Sequence, residues 1–382
     1  MLLYAGHLVA AWAIGVSNVL LGLAVLATGR HWRRMFRGAA RPATRLAIAY
    51  LALLVAAIAA SPEPRTSARA ASEIFSFATF GLALVWARGE HRVRWLVDAL
   101  ILTGAVLAFW GLGQLGFGYG QLDNRIRGPF SHYMTFSGVL VLVDLLLVAR
   151  LLRRPRGTDA RGPTRWLDRR PVAWTVLVVV TWALLVSLTR GAWIALVVIL
   201  IGLALLERRR LLLLLVPAAV LFLVLAPVPM VARALSIGNP RDTSTYDRLC
   251  MAEAGLRMVS ERPLLGIGPE RVKHVYPLYR HPTAPRLWVP HLHNAYLQLA
   301  AERGIPALSV LLALLGTALL TARRGLRAGG TGADLHLGVL SALGAFAIAA
   351  LFENNWGDTE VQRLVLFLVA VPFALEDDGG PA

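Results

Sequence analysis

The sequence predicts an all-α fold, a polytopic bundle of about eleven transmembrane helices (twelve are possible) with a long loop region that contains helix. Of the 382 residues, 57% are hydrophobic and 16% are charged, whereas a soluble domain carries roughly 25% charged residues. Apolar runs close to the length that a bilayer requires recur along the chain. Because such helices pack into one bundle, residues 1–382 are expected to form a single integral membrane domain.

Eleven apolar segments are predicted to cross the membrane, at about 2–28, 46–60, 72–87, 95–117, 134–149, 171–188, 191–206, 211–228, 295–321, 335–352 and 361–375. The first segment has no basic residue before Arg30, which is not typical of a signal peptide, so we interpret it as a retained span. The second and third segments are short and rich in alanine and serine. A tilted or re-entrant segment among them would change the number by one.

The distribution of arginine predicts the orientation of the bundle. With the N-terminus outside, the predicted inner connections contain 23 arginines and the short outer connections contain 5. Positively charged residues concentrate in cytoplasmic loops, so this asymmetry places 229–292 outside. That segment contains nine basic residues, but long translocated loops are largely exempt from the rule.

The basic composition indicates contact with a membrane surface. The formal net charge is +17, and basic loops bind anionic lipid head groups, so we expect membrane lipids and no nucleic acid as partners. Cys250 is the only cysteine, which permits no internal disulfide and no cysteine-based metal cluster. No phosphate-binding loop, dinucleotide fingerprint, HExxH or CxxC motif occurs, so no cofactor and no metal is expected. Glu353, Asp358 and Glu360 are interpreted as a polar cap at a helix end.

The long outer segment is predicted to be ordered and functional. Ionisable residues beside a membrane are costly and usually mark a functional site, here one for an anionic, phosphate-bearing, lipid-linked substrate. Thr243 to Glu261 has helical apolar spacing, with Ser244 or Thr245 as its cap and Pro263 as its stop. A tight turn is predicted over 264–269, and four later prolines indicate an irregular, stiff chain.

His293 is the candidate for proton transfer. A histidine at the mouth of a span can accept a proton from a hydroxyl nucleophile; the alternative is an interfacial histidine that anchors the helix end. Gly304 follows eleven residues later, which in a continuous helix returns to nearly the same face, and it allows close approach of a backbone or a sugar. Asn294 and His291, which flank the site, are candidate substrate-binding residues.

Arginines are the candidates for binding the anion. Arg190 lies in a very short outer connection, where its guanidinium suits phosphate oxygens; the alternative is snorkelling from a helix end. Arg248 lies on the predicted outer helix, where a solvated face or a pair with Asp247 is the alternative. Arg125 and Arg127, in an earlier outer loop, are expected to reach the same site. Arg280 and Arg286 flank the proline-rich run before the histidines and are candidate substrate-binding residues, with a solvated face or an acidic partner as the alternative.

Four runs of sequence carry a family resemblance: Asp247 to Met258, Arg262 to Pro269, His291 to Gln298 and Glu302 to Gly304. Together they resemble the bacterial O-antigen ligase and polymerase superfamily, over residues 172–375. The family pattern is a histidine, an amide or serine, nine residues and a glycine, which His293, Asn294 and Gly304 match. Three residues after that glycine the family usually has Gly, Thr or Tyr, whereas this chain has Ala307.

This resemblance implies an inverting, metal-independent glycosyltransferase of the GT-C kind in the bacterial inner membrane, with its active site facing the periplasm. The implied donor is a glycan on undecaprenyl pyrophosphate. A ligase passes the glycan to lipid A–core, and a polymerase or other oligosaccharyltransferase passes it to a second lipid-linked glycan. By the same resemblance, His293 assists the acceptor hydroxyl, and Arg190 and Arg248 stabilise the pyrophosphate.

A transporter of the lipid-linked glycan is the alternative from a different class. Transporters of this kind show repeated halves or helices that are broken near the middle of the membrane. The sequence indicates neither feature, and its polar residues gather at one face of the predicted bundle. The sequence therefore favours an enzyme, with the O-antigen ligase as the leading hypothesis.

Overall fold

The computed structural model describes residues 1–36, 40–121, 123–153, 165–207, 209–213, 226–237 and 242–376, with single residues at 217, 220, 222, 224 and 239. In this part of the chain the regular structure is helical and no strand occurs, which confirms the all-α prediction. The α-helices are α1 Leu2–Val9, α2 Ile14–Thr28, α3 Ala40–Ala59, α4 Pro64–Ser67, α5 Ser72–Trp86, α6 Glu90–Gly113, α7 Tyr133–Leu152, α8 Arg170–Val186, α9 Arg190–Glu207, α10 Val228–Leu235, α11 Thr243–Glu261, α12 Val272–Tyr279, α13 Ala295–Ala328, α14 Ala333–Ala349 and α15 Thr359–Glu376.

Six helical stretches of the described residues are long and apolar enough to cross a membrane, and each corresponds to a predicted span: Ala40–Ala59, Pro64–Trp86, Glu90–Phe117, Tyr133–Leu152, Arg190–Glu207 and Ala295–Ala328. Three shorter apolar helices also coincide with predicted spans or parts of them: Ile14–Thr28, Arg170–Val186 and Ala333–Ala349. The protein is therefore a polytopic helical membrane protein. The predicted span at 211–228 lies mostly outside the described residues.

The first predicted span is not one continuous helix. A turn separates α1 from α2, and the two helices pack against each other. Within this pair the hydroxyl of Ser17 lies 2.7 Å from Nδ1 of His7, and Nε2 of His7 lies 3.0 Å from the hydroxyl of Thr79. Polar groups in an apolar environment need internal partners. The prediction of a single helix over 2–28 is wrong, because hydropathy does not reveal that these polar side chains pair with one another.

Helices that are distant in sequence form the core. The last helix, α15, is buried from Glu360 to Ala374 and packs on α5. In the same way α14 packs on α7, and α13 packs on α3. The N-terminal and C-terminal halves of the chain are thus interleaved, and residues near the C-terminus are brought to the same end as the long outer segment.

The connections between helices sort to two ends of the bundle, as the alternation of predicted spans requires. At one end the hydroxyl of Ser67 donates to the carbonyl of Pro269 at 2.8 Å, which joins two connections that are predicted to lie outside. At the other end Nε of Arg153 lies 2.7 Å from Glu207, which joins two connections that are predicted to lie inside. The assignment of the first end to the periplasm stays a prediction.

The outer helix has the predicted bounds, Thr243–Glu261, but a different cap. Asp242, and neither Ser244 nor Thr245, is the capping residue, and its carboxylate accepts the backbone N–H of Thr245 at 3.1 Å. Aspartate is as good a cap as serine, and Asp242 lies directly before the first residue of the helix. The prediction of irregular chain is wrong over Val272–Tyr279, which is a helix with Pro277 in its last turn, although proline usually ends a helix.

Helix α13 is interrupted at Gly304, where φ is +84° and ψ is 164°. The predicted outer turn fills the interruption, and the N–H of Ile267 donates to the carbonyl of Ala301 at 2.8 Å. A Cβ at Gly304 would lie 2.0 Å from the carbonyl oxygen of Leu264, so glycine is required for close backbone approach, as expected. The predicted common face of His293 and Gly304 is wrong, because it assumed a continuous helix.

Candidate active site

His293 lies in the connection that leads into α13 and has a backbone conformation that non-glycine residues rarely adopt. Its φ is +49°, and the cost of such a conformation is of order 1–3 kcal/mol. The next residue, Asn294, caps the helix by accepting the N–H of Leu297 at 3.0 Å. Its amide also donates to the carbonyl of Leu351 at 3.2 Å. The helix start is therefore fixed on both sides, and it holds the imidazole of His293 in place.

Glu353 is the residue that joins the predicted base to a predicted arginine. One carboxylate oxygen lies 3.0 Å from Nδ1 of His293, and the other accepts a hydrogen bond from Arg248 at 2.6 Å. Glu353 is only 3% exposed, and a buried carboxylate requires such partners. The earlier interpretation of Glu353 as part of a polar helix cap is wrong. Its pairing with a histidine 60 residues away depends on tertiary contacts.

The hydrogen bond to Glu353 determines which nitrogen of His293 can act as a base. An ionised carboxylate only accepts hydrogen bonds, so we assign the proton of the neutral imidazole to Nδ1. Nε2 then carries the lone pair and can accept a proton from a hydroxyl group. When Nε2 is protonated, the carboxylate stabilises the resulting imidazolium, as in a Ser-His-Asp triad.

Arg248 pairs across the site and does not pair with its neighbour in sequence. Asp247 instead lies 3.2 Å from Nε of Arg286, because adjacent residues on a helix point in different directions. Burial raises the pKa of Asp247, and the charges of Arg286, His293 and Arg248 oppose that rise. The suggested pair between Arg248 and Asp247 is wrong, and Arg286 joins the rim of the site through Asp247.

Arg190, the first residue of α9, turns into the protein. Its side chain is 6% exposed, and it donates to the carbonyl of Ser236 at 2.9 Å and to the hydroxyl of Ser244 at 3.2 Å. The carboxylate of Asp242 lies 2.9 Å away. Snorkelling toward solvent, the alternative from the sequence, is therefore wrong. Arg190 instead holds the start of the long outer segment against the end of the bundle.

A cluster of arginines surrounds the carbonyl of Leu188, whose own φ is +56°. This oxygen accepts hydrogen bonds from Arg125 at 3.4 Å and from Arg233 at 3.3 Å. Burial, together with the charges of Arg190 and Arg125, lowers the pKa of Arg233 to about 10. Arg125 also lies over the ring of Tyr133 at 4.2 Å. Like charges at such short range favour the binding of an anion.

Sequence reasoning singled out Arg125 but missed Arg233. The signal was weak, since Arg233 is one of nine basic residues in 229–292. Its hydrogen bond to the carbonyl of Leu188 distinguishes Arg233 from the other basic residues of this segment. Burial lowers the pKa of Arg125, and Arg190 and Arg248 act in the same direction while Glu353 opposes. Arg125 therefore lies within electrostatic reach of both predicted catalytic arginines and of the carboxylate.

Two further histidines lie close to His293. The ring of His291 lies 4.4 Å from the ring of His293, and burial lowers the pKa of His291 to about 4. His132 caps α7, and burial also lowers its pKa, although the charge of Glu353 opposes this shift. Both rings are therefore neutral at pH 7 and can exchange hydrogen bonds with a hydroxyl-bearing substrate.

The remaining predicted residues lie at the edge of the site. Arg280 donates to the carbonyl of Ala284 at 3.2 Å. Arg127 is exposed and donates to the carbonyl of Ser131 at 3.1 Å, yet its charge is close enough to lower the pKa of His132. The structure thus gathers the base and the arginines most closely around Glu353 and Leu188.

A family model described as O-antigen ligase matches residues 175–312. This stretch contains His293, Arg190 and Arg248, which the structure brings to one end of the bundle. Residues 175–312 are therefore similar to the O-antigen ligase family. Within these residues the match confirms the resemblance seen in the sequence motifs. At a coarse level it supports a glycosyltransferase-like membrane enzyme with lipid-linked glycan substrates. Among curated proteins, no sequence matches the chain.

Proposed function

We propose that the protein is an O-antigen ligase-type glycosyltransferase, which moves a glycan from undecaprenyl pyrophosphate to lipid A–core at the periplasmic face of the bacterial inner membrane. The observation that supports this proposal most strongly is the position of Glu353 between His293 and Arg248. A histidine held by a carboxylate serves to take a proton. A nearby cluster of arginines serves to hold an anion. Transfer from a pyrophosphate to a hydroxyl requires both.

The proposed step is a single in-line displacement. The acceptor hydroxyl oxygen attacks the anomeric carbon of the donor sugar and forms the new glycosidic bond. The bond from that carbon to the pyrophosphate oxygen breaks, and the leaving group keeps the electron pair. The hydroxyl proton passes to Nε2 of His293, and Glu353 stabilises the imidazolium. Attack opposite the leaving group inverts the configuration of the anomeric carbon.

The arginine cluster stabilises the charge that appears on the leaving group. Arg190, Arg248, Arg125 and Arg233 provide fixed guanidinium groups at one end of the bundle, and fixed charges act most strongly where charge develops in the transition state. In other enzymes a metal ion neutralises the charge of the phosphates. The arginine side chains can do so here, so we propose a metal-independent reaction. Arg286 and Arg127, at the edge of the site, would attract the anionic donor.

A polymerase of the same superfamily is the second candidate, since an acceptor on a second lipid-linked glycan would use the same base and the same arginines. The transporter is disfavoured. Helix α13, Ala295–Ala328, is broken at Gly304, near its start and not at its middle. However, the N–H of Ile305 donates to the carbonyl of Pro263 at 2.8 Å, so backbone of the outer turn fills the break and leaves no ion site there.

The deciding experiment uses the purified protein and a donor glycan on undecaprenyl pyrophosphate. One reaction contains lipid A–core and the other contains a second lipid-linked glycan, and mass spectrometry identifies the products. We expect a covalent adduct of glycan and lipid A–core and release of undecaprenyl pyrophosphate. Elongated lipid-linked glycan alone would identify a polymerase. Absence of transfer to either acceptor, by protein that binds the donor, would contradict an enzymatic function.

A further inference from the structure

A polar cavity of about 180 Å³ lies beside the candidate active site. His291 lines this cavity, and its ring is 4.4 Å from the ring of His293. The opposite walls come from the turn before α12, from α13 and from the connection before α15. The mechanism described above uses none of the other lining side chains.

The charges of the cavity wall differ from those of the arginine cluster. Three acidic residues, Glu270, Glu302 and Asp358, face two basic residues, Lys273 and Arg303. Acids and bases nearly balance, so the wall does not favour a pyrophosphate, which needs an excess of positive charge. Carboxylates accept hydrogen bonds and ammonium and guanidinium groups donate them. A neutral ligand with many hydroxyl groups, each of which both donates and accepts, fits such a wall.

One buried carboxylate holds two lining residues in place. Glu73 accepts a hydrogen bond from the indole N–H of Trp356 at 2.7 Å and from Arg303 at 2.7 Å. Trp356 also packs edge-on against Tyr50 and Phe77. A lining that is fixed before the ligand arrives binds it at a lower entropic cost. The cavity is therefore a built feature of the bundle and does not depend on mobile surface side chains.

Backbone strain also concentrates here. Among the described residues, three that are not glycine have positive φ: Leu188, Glu270 and His293. Glu270 lines the cavity, with φ of +63°, His293 is the candidate base, and Leu188 organises the arginine cluster. Strained backbone persists where the surrounding structure fixes it, and it clusters at functional sites. The positive φ of Glu270 therefore supports a functional link between the cavity and the candidate active site.

We propose that this cavity binds the sugar ring that carries the attacking hydroxyl of the acceptor. This inference rests on the proposed function. In the proposed displacement the attacking hydroxyl must lie within reach of Nε2 of His293, and the neighbouring His291 lines the cavity. The cavity has a volume of about 180 Å³. This is the scale of a single ring, and longer glycans would extend beyond it.

A substitution of Asn354 tests the proposal. It lines the cavity, is half-buried, and has no role in the proposed base or arginine cluster. Asn354→Leu keeps the number and branching of the side-chain heavy atoms and removes the amide. Loss of a hydrogen bond to a sugar hydroxyl should raise KM for lipid A–core about five- to tenfold. KM for the donor and kcat at saturating acceptor should stay within about twofold. Lys273→Met, on the other wall, should act in the same way.

Asn124→Leu is the matched control. Asn124 lies at the same end of the bundle, is exposed, and donates to the carbonyl of Gly118 at 3.3 Å, so this variant should leave both KM values unchanged. Thermal unfolding of all variants checks the fold. An unchanged acceptor KM in Asn354→Leu and Lys273→Met, or a rise in donor KM instead, would overturn the proposal.

A direct binding measurement separates this inference from the proposed function. Lipid A–core with its acyl chains removed is titrated calorimetrically into His293→Ala, and into His293→Ala that also carries Asn354→Leu. We expect binding to the first and binding at least fivefold weaker to the second. Equal affinities, with active transfer by the unmodified protein, would refute the cavity alone. A lack of transfer by the unmodified protein would refute the proposed function itself.

Discussion

Replacing Glu353 by glutamine tests the central feature of the site. Glutamine has the same shape as glutamate but carries one acceptor oxygen and one NH₂ group. If the amide oxygen accepts the N–H of His293, the NH₂ group faces Arg248 and cannot accept from it. With the proton of His293 on Nδ1, as the proposed reaction requires, the substitution keeps at most one of the two hydrogen bonds that Glu353 makes. It also removes the charge that stabilises the imidazolium.

The magnitude follows from these two bonds. Hydrogen bonds to charged groups contribute about 1.5–3 kcal/mol, and neutral ones contribute about 0.5–1.5 kcal/mol. Loss of one charged bond costs about 1.5–3 kcal/mol, and replacement of the other by a neutral bond costs about 1–1.5 kcal/mol. Together these amount to about 2.5–4.5 kcal/mol, or roughly 70- to 2000-fold in rate. Because Glu353 is 3% exposed and His293 is largely buried, solvent screens little of this effect. We expect kcat to fall by about that factor, with smaller changes in donor binding.

The assay measures single-turnover transfer to lipid A–core with purified Glu353→Gln, alongside donor binding and thermal unfolding. Glu253→Gln is the matched control. Glu253 pairs with Arg257 at 2.6 Å in an exposed position on α11, the helix that also carries Arg248. Exposed pairs contribute about 0–1 kcal/mol to stability, so this variant should remain fully active. A Glu353→Gln enzyme that keeps more than half of the native rate would refute the role of the carboxylate.

The remaining predictions concern the base, one arginine, one glycine and the topology. His293→Ala should reduce transfer ~10²–10⁴-fold while donor binding persists, and chelator should have no effect on the native enzyme; activity retained in the variant would exclude this base. Arg190→Lys should lose most activity in the same assay, because an ammonium cannot bridge the partners of a planar guanidinium; native activity there would remove Arg190 from the mechanism. Gly304→Ala should lower the thermal unfolding temperature or prevent folding, because φ is +84° and its Cβ would lie 2.0 Å from a carbonyl oxygen; unchanged unfolding would contradict the tight packing. Reporter fusions should place Ala382 in the cytoplasm and an insertion near Asn239 in the periplasm; the opposite result would reverse the proposed orientation.

Local sequence patterns determined the elements that depend on near neighbours. The apolar runs defined helices that reach the length of a membrane, and the spacing of apolar residues defined Thr243–Glu261 at both ends. Both signals are local, because a helix is stabilised by contacts within a turn or two and ends where a cap or a proline stops it. The family motif identified His293 as the candidate base. The ability to accept a proton is a property of the imidazole itself, so the sequence can reveal it.

Tertiary structure alone decided how these parts are joined. The partner of His293 is Glu353, 60 residues away, and the turn at Leu188 selects Arg233 from the basic residues of its segment. The break at Gly304 exists because the backbone of the outer turn fits into it. Each of these features depends on a contact between segments that are distant in sequence. No periodicity within one segment records such a contact, since its energy depends on which surfaces the folded bundle brings together.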